Sequence, residues 1–256
     1  MLRGSFLHPG MEKQTLGPAA GAARGTLRPR YAWLLFDADG TLFDYDRAEC
    51  AALGQALARI GVTFDAARHL PSYRRINQAL WQAVEKGELT PGFVKVRRFE
   101  LLLAELGVSH SAPALSAGYL ECLANCSELV EDAEPVLRAL HRRHRIAILT
   151  NGLREVQRGR LGRSPIRHYI SELIISEEIG AAKPAKEFFE RAFARLGHPA
   201  KEDVLMIGDG WGSDIEGAVL YGIDACWYNP GRKPRPSGLS IACEIASLRE
   251  LTALVG

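Results

Sequence analysis

At 256 residues, with 47% hydrophobic and 24% charged side chains, the chain has the composition of a soluble globular protein and the length for one large domain or a core with a smaller insert. Its 32 Lys and Arg against 30 Asp and Glu leave a formal charge of +2, which argues against a nucleic-acid polymer as partner. No apolar stretch approaches the ~20 residues that cross a bilayer, so no membrane partner is expected.

Residues 1–30 are rich in Gly, Ala, Pro and Arg, with Glu12 the only acid and no sustained hydrophobic period. A disordered extension is expected there, with no secretory signal, and Met11 stands as a second candidate start. Ordered structure begins with YAWLLF (31–36), an apolar run that reads as a strand buried on both faces. Residues 46–126 then carry a helical period, with expected breaks near Gly61, Pro71, Gly87–Pro91 and Gly107–Pro113. Cys122 and Cys126 stand i,i+4 in this block; the five scattered cysteines lack zinc spacing and are expected to be reduced, in a cytoplasmic protein that is a monomer or homodimer.

From there strands and helices alternate: EPVLRALHRRH (134–144), RIAILT (145–150), LIIS (173–176), PAKEFFERAFARLG (184–197), VLMIG (204–208), SDIEGAVLYG (213–222) and DACWY (224–228). Pro184 is expected in a first helical turn, Ser213 with Glu216 as a capping box, and Gly197 and Gly222 as helix stops. The HRRH run at 141–144 reads as basic residues at a helix C-terminus. The alternation predicts an α/β fold, a doubly wound Rossmann-like parallel sheet formed by 31–45 and 127–256, with 46–126 inserted as a helical lid over the sheet's carboxyl edge.

That edge is where open α/β sheets bind ligands, and it is where the polar residues collect. FDADGTLFD (36–44) sets Asp37 and Asp39 just past the first strand; Thr150 and Asn151 close the second; Asp209 follows VLMIG; Asp214 and Lys183 sit at helix starts. Singly each has a plain structural reading: a turn at Asp39-Gly40, a cap at Thr150–Gly152, a dipole partner at Asp214, a solvated cation at Lys183. Together they read as a site. Three facing carboxylates call for a divalent cation, and carboxylates beside a phosphate suit Mg²⁺. Lys183 and Thr150 complete a phosphate cradle. One aspartate can attack phosphorus, and a second can protonate the leaving alkoxide and then activate water.

These stretches resemble the four motifs of the haloacid dehalogenase superfamily: FDADGTLFD the first, LTNG the second, the lysine of GAAKPAKEFF the third and GDGWGSDI the fourth. The resemblance implies Asp37 as nucleophile and Asp39 as acid/base. It implies Thr150, Asn151 and Lys183 at the phosphate, and Mg²⁺ held by Asp37, the Asp39 backbone carbonyl, Asp209 and Asp214. The helical insert corresponds to the family's C1 cap. Dehalogenases of the superfamily lack an acid at the position of Asp39, so the sequence looks like a phosphatase. A narrower resemblance, carried by RHYISELIISEEIGAAKPAKEFFERAF, VLMIGDGWGSDIEGAVLYGIDACWYNPGRKP and the cap segments INQALWQAVEKGELT and RRFE, is to the non-canonical pyrimidine 5′-nucleotidases. It departs from them at Gly210, where that subfamily commonly carries Thr or Ser, and at Gly40, where some members have Glu. In the cap, Tyr73, Asn77, Trp81, Arg98 and Phe99 are candidates to meet a nucleoside. A nucleoside monophosphate is the expected substrate. A phosphatase for a small metabolite such as phosphoglycolate or a sugar phosphate is the alternative, and a non-catalytic phospholigand-binding protein has no need of Asp39.

Overall fold

The computed structural model describes residues 31–255, so the expectations for residues 1–30 lie outside it. The chain opens with β1 (Trp33–Phe36) and then forms α1 (Tyr45–Arg59), α2 (Ala66–Glu85), α3 (Pro91–Leu106) and α4 (Ala112–Asn125). It continues through α5 (Ala133–Leu140), β2 (Arg145–Thr150), α6 (Arg154–Arg163), β3 (Glu172–Ile175), α7 (Ser176–Ile179) and α8 (Lys186–Arg195). The last part is β4 (Val204–Gly208), a π-helical turn (Trp211–Glu216), α9 (Gly217–Tyr221), β5 (Asp224–Tyr228), β6 (Cys243–Ile245) and α10 (Arg249–Val255).

All six strands are parallel, in the order β3-β2-β1-β4-β5-β6. The chain winds outward from β1 to β3 and then returns to place β4 on the other flank of β1, so the order reverses beside β1. Phe36 is level with Ile148 of β2 and Ile207 of β4. That register brings the residues following all three strands to one edge.

Both faces of the sheet are covered. Leu34, Phe36, Ile146, Ile148, Leu205 and Ile207 pack on one side with Val136, Leu137 and Leu140 of α5 and Leu251 and Val255 of α10. Trp33, Leu35, Leu149 and Met206 pack on the other with Phe188, Phe189 and Phe193 of α8 and Ala218 and Tyr221 of α9. Two-sided burial is why the strands read as unbroken apolar runs rather than as alternation. A third apolar core lies among α1–α4 and takes in Leu153 and Val156 at the start of α6.

The four helices of the insert begin at side-chain caps that satisfy orphan amides. Asp44 accepts from the Arg47 amide at 3.1 Å, Asp65 from Ala67 at 2.9 Å, Thr90 from Phe93 at 3.4 Å and Ser111 from Ala114 at 3.3 Å. α3 stops at Gly107, whose φ of +66° takes the left-handed conformation. The insert leaves and rejoins the core side by side: Phe43 bridges Leu129 antiparallel, and the Asp44 amide donates to the Glu128 carbonyl at 3.0 Å.

Four local expectations are corrected. Pro71 does not break the insert; α2 runs through it, at the loss of one backbone bond, because its apolar face is held by Tyr73, Ile76 and Val84. Ser213 and Glu216 form no capping box, since the chain there is a π-helical turn with the Gly210 amide donating to Asp214 Oδ2 at 2.9 Å. Pro184 precedes the helix, which begins at Lys186. The helix expected over 134–144 ends at Leu140, and His144 lies buried beyond it with its ring nitrogens 2.6 Å from the Tyr31 carbonyl and 3.0 Å from that of Val255. Four elements, α6, α7, β6 and α10, were not expected from the sequence. No helix among the described residues is long and apolar enough to cross a membrane.

Candidate active site

Asp37 leaves β1 with its amide bonded to the Ile207 carbonyl at 2.8 Å, which pins it to β4 at the carboxyl edge. Lys183 comes up from below α8 and is buried, not solvated. Its ammonium spends all three donors at 2.6 Å, on Asp37 Oδ1, Asp214 Oδ1 and the Leu149 carbonyl. Burial works against that charge, but Asp214 and Asp37 outweigh it and hold the lysine above its ordinary pKa. Asn151 fixes the lysine from behind: its Nδ2 donates to the Lys183 carbonyl and its Oδ1 accepts from the Lys183 amide, both at 2.8 Å.

Asp37, Asp209 and Asp214 each offer a carboxylate oxygen, and these three atoms lie within 4.8 Å of one another. Burial, then the neighbouring acids, hold Asp37 well above the carboxylate range despite Lys183, and lift Asp209 to about 6. Three acids against one lysine leave an excess of negative charge that a divalent cation fits. Asp209 is oriented by Thr41, whose hydroxyl donates to Oδ1 at 3.1 Å and accepts from the Asp209 amide at 3.0 Å. Gly40 has φ +86°, and a Cβ there would stand 2.7 Å from Asp209 Oδ2, so glycine takes this turn without the strain another side chain would bring.

Asp39 is held differently. Its Oδ2 accepts from Gln157 Nε2 at 2.6 Å and its Oδ1 from Arg160 Nη1. Its carboxylate is not in the three-acid group. Thr150 ends β2, buried, with its Oγ1 accepting from the Gly152 amide at 3.0 Å. Asp37, Asp39, Thr150, Asn151, Gln157, Lys183, Asp209 and Asp214 open onto one cavity of about 270 Å³ between the sheet edge and the insert. Tyr45, Asn77, Trp81, Glu85, Arg98 and Leu123 close it from the insert side.

A family pattern for haloacid dehalogenase-like hydrolases matches residues 31–222. The chain belongs to this family. It is 35% identical to the putative HAD-hydrolase YfnB of Bacillus subtilis, over 87% of this chain and 94% of that one. It is 33% identical to the pyrimidine 5′-nucleotidase YjjG of Escherichia coli (88% and 98%) and 33% identical to the pyrimidine 5′-nucleotidase PynA of Streptococcus pneumoniae (86% and 93%). The magnesium-bound crystal structure of YfnB, whose description reports interdomain movement, superposes with a TM-score of 0.81 at 34% identity, over 88% of this chain and 99% of that one. The Rossmann-like α/β fold expected from the sequence is thus the fold of this hydrolase.

Within the hydrolase the structure brings together Asp37, Asp39, Thr150, Asn151, Lys183, Asp209 and Asp214 at one cavity, with Asn77, Trp81 and Arg98 facing them from the insert. Tyr73 is not among the lining residues. It is buried with Phe99 and Tyr119, ring centroids 5.2–5.8 Å apart, in the insert's own core. Arg98 is buried at the cavity wall; Nη1 donates to Asn77 Oδ1 at 3.2 Å, and the guanidinium lies over Phe99 and Tyr119 at 5.0 and 4.8 Å. Among the described residues its Nε and Nη2 have no partner.

Tyr45, Glu85, Gln157 and Arg160 escaped the sequence reading, because each looks like an ordinary helical position until the fold turns it inward. Burial first and the Asp214 charge second raise the Glu85 carboxyl. The hydrolase also accounts for its glycine at 210: a Cβ there would meet Ser213 Oγ at 2.5 Å, so the Ser213 hydroxyl stands where a side chain at 210 would go.

Proposed function

We propose that this hydrolase is a Mg²⁺-dependent phosphomonoesterase that cleaves nucleoside 5′-monophosphates, pyrimidine ones in preference, with residues 46–126 serving as its cap. The observation that carries the reading is an acid at position 39 held by two donors beside the buried Asp37–Lys183 pair. A hydrolase that releases halide has no use for that proton, whereas an alkoxide leaving group needs it. The full-length likeness to YjjG and PynA supports the nucleotide preference, as does a cavity wall that offers an indole (Trp81) and a primary amide (Asn77) to a base.

In this mechanism the Asp37 carboxylate attacks phosphorus, the P–O ester bond breaks, and the alkoxide takes the proton from Asp39 to leave as the nucleoside. Water then attacks the phosphorus of the Asp37 acyl phosphate and gives its proton to the Asp39 carboxylate. That step restores Asp37 and releases phosphate. Thr150 and the Asn151 backbone cradle the phosphoryl oxygens, Lys183 joins them by turning one of its three donors from a protein oxygen to the phosphoryl group, and the Asn151 side chain keeps Lys183 in place. Mg²⁺ bound among Asp37, Asp209 and Asp214 supplies the positive charge that lets the carboxylates stand together and neutralises the phosphoryl group. The segments near Asp44–Arg47 and Cys126–Glu128 would serve as the hinge of a moving cap, and the paired contacts Phe43–Leu129 and Asp44–Glu128 lie beside them.

A second reading rests on Arg98. A buried guanidinium with two free donors at the cavity wall also suits the carboxylate of a small phospho-acid such as phosphoglycolate. The test is kcat/KM for UMP, dUMP, AMP, phosphoglycolate and sugar phosphates, with Mg²⁺ and with EDTA. Preference for UMP and dUMP, lost in EDTA and recovered with Mg²⁺, is expected. Preference for phosphoglycolate moves the assignment to the second reading, and turnover in EDTA overturns the metal.

A further inference from the structure

Arg160 belongs to α6 of the core, is fully buried, and touches neither the three-acid group nor the phosphate cradle. Its guanidinium makes three contacts, and they converge from three places. Nη1 donates to the Asp39 carboxylate. Nε donates to the Cys126 carbonyl at 2.8 Å, where the insert rejoins the core. The Phe43 ring, where the insert leaves, lies 4.5 Å under the guanidinium carbon. Phe43 in turn bridges both Asp39 and Leu129. A guanidinium is a rigid planar fork, so a shift of any one partner is passed to the others as a change of its plane. Gln157 fixes the second Asp39 oxygen from one turn earlier on α6, at 2.6 Å.

We infer that Arg160 is a positioning residue that ties the orientation of the Asp39 carboxylate to the two connecting segments that join insert and core. The Asp39 carboxylate keeps the orientation it has here only while both connecting segments hold these contacts. When the Cys126 carbonyl or the Phe43 ring moves away, the fork loses a contact and Asp39 loses one of its two fixed donors. The inference rests on the reading of Asp39 as acid, and the experiment separates the two.

The measurement is alcohol release in a single turnover, enzyme in excess, from UMP and from p-nitrophenyl phosphate. Both esters break at the same P–O bond, but p-nitrophenolate leaves without a proton and uridine does not. Arg160→Met is expected to slow uridine release about 10- to 100-fold, part of the 10²- to 10⁴-fold that a positioned acid contributes, and to slow p-nitrophenolate release far less. Phe43→Leu, which keeps the charge and thins the ring support, is expected to show the same selectivity at about 3- to 10-fold. Arg160→Lys is expected to recover part of the uridine rate. In an Asp39→Asn background, Arg160→Met is expected to cost nothing more, because it acts through a group no longer there. Equal slowing of both esters by Arg160→Met and Phe43→Leu, or a full further loss on Asp39→Asn, overturns the inference. If Asp39→Asn itself slows both esters alike, the acid reading of Asp39 falls first. If it is selective and the other two variants are not, only the role of Arg160 falls.

Discussion

Lys183 is a buried cation paired with the buried Asp37 and Asp214 carboxylates beside the half-buried Asp209, and its removal is a different event from removal of any one of them. Lys183→Met strands Asp37 and Asp214 without a counter-charge, and breaking a buried pair in that way costs about 3–5 kcal/mol. Asp37→Asn removes a carboxylate that burial and its acidic neighbours already disfavour, and leaves an amide oxygen for the lysine. The expected outcome in urea titration is a large drop in midpoint for Lys183→Met and little or none for Asp37→Asn. In the assay the order changes: Asp37→Asn loses on the order of 10⁴-fold or more, the scale of a missing covalent nucleophile. An Asp37→Asn protein with substantial turnover would mean that another group attacks phosphorus.

Among the elements, α6 faces two ways. Leu153 at its N-cap and Val156 in its first turn complete the insert's core, and Gln157 and Arg160 hold Asp39. Its middle approaches α4 so closely that a Cβ at Gly159 would stand 3.0 Å from the Ala124 carbonyl and side chain. Gly159→Val is expected to push the two helices apart and cost about 1–3 kcal/mol, with a loss of UMP turnover exceeding the loss of p-nitrophenyl phosphate turnover. None of this was legible in REVQRGRLGR, a segment so polar that its period marks no face. The strands at 33–36, 145–150 and 204–208 were legible because two-sided burial leaves continuous apolar runs. So were Asp37, Asp39 and Asp209, because their places follow from where those runs stop; Asp214 and Lys183 stand away from the strand ends and were legible through the motif resemblance. The insert was harder, since a helical period cannot distinguish Tyr73 and Phe99, which fill its core, from Trp81 and Arg98, which line the cavity. Pro71 inside α2 misled for the opposite reason, a strong local signal overridden by tertiary packing.

For the whole molecule, the acid cluster ties stability to pH and to metal. Asp37 and Asp209 have folded-state pKa values above their ordinary ones, Asp209 at about 6, so the folded state binds more protons than the unfolded one between about pH 4 and 6. Without metal, stability contributed by these groups is therefore highest at the acid end of that window and falls as pH rises through it. Mg²⁺ needs the ionised carboxylates, so it is expected to raise Tm more at pH 7.5 than at pH 5. Thermal melts at the two pH values, with Mg²⁺ and with EDTA, check this. An equal Mg²⁺ effect at both values would mean that these acids do not hold it.

The position of β1 carries a further consequence. It lies third of six, bonded on both sides, and its register with β2 and β4 is what assembles residues 37, 150 and 209. Its amides have no short route to solvent and should be the slowest in the chain to exchange for deuterium. The reacting groups are thus fastened to the last part to open, while the wall facing the substrate belongs to helices with an apolar core of their own. Exchanging side chains on α2 and α3 should therefore redirect the enzyme to new phosphate esters without loosening the amides of β1, which makes the insert the place to look for divergence and the sheet edge the place to look for constancy.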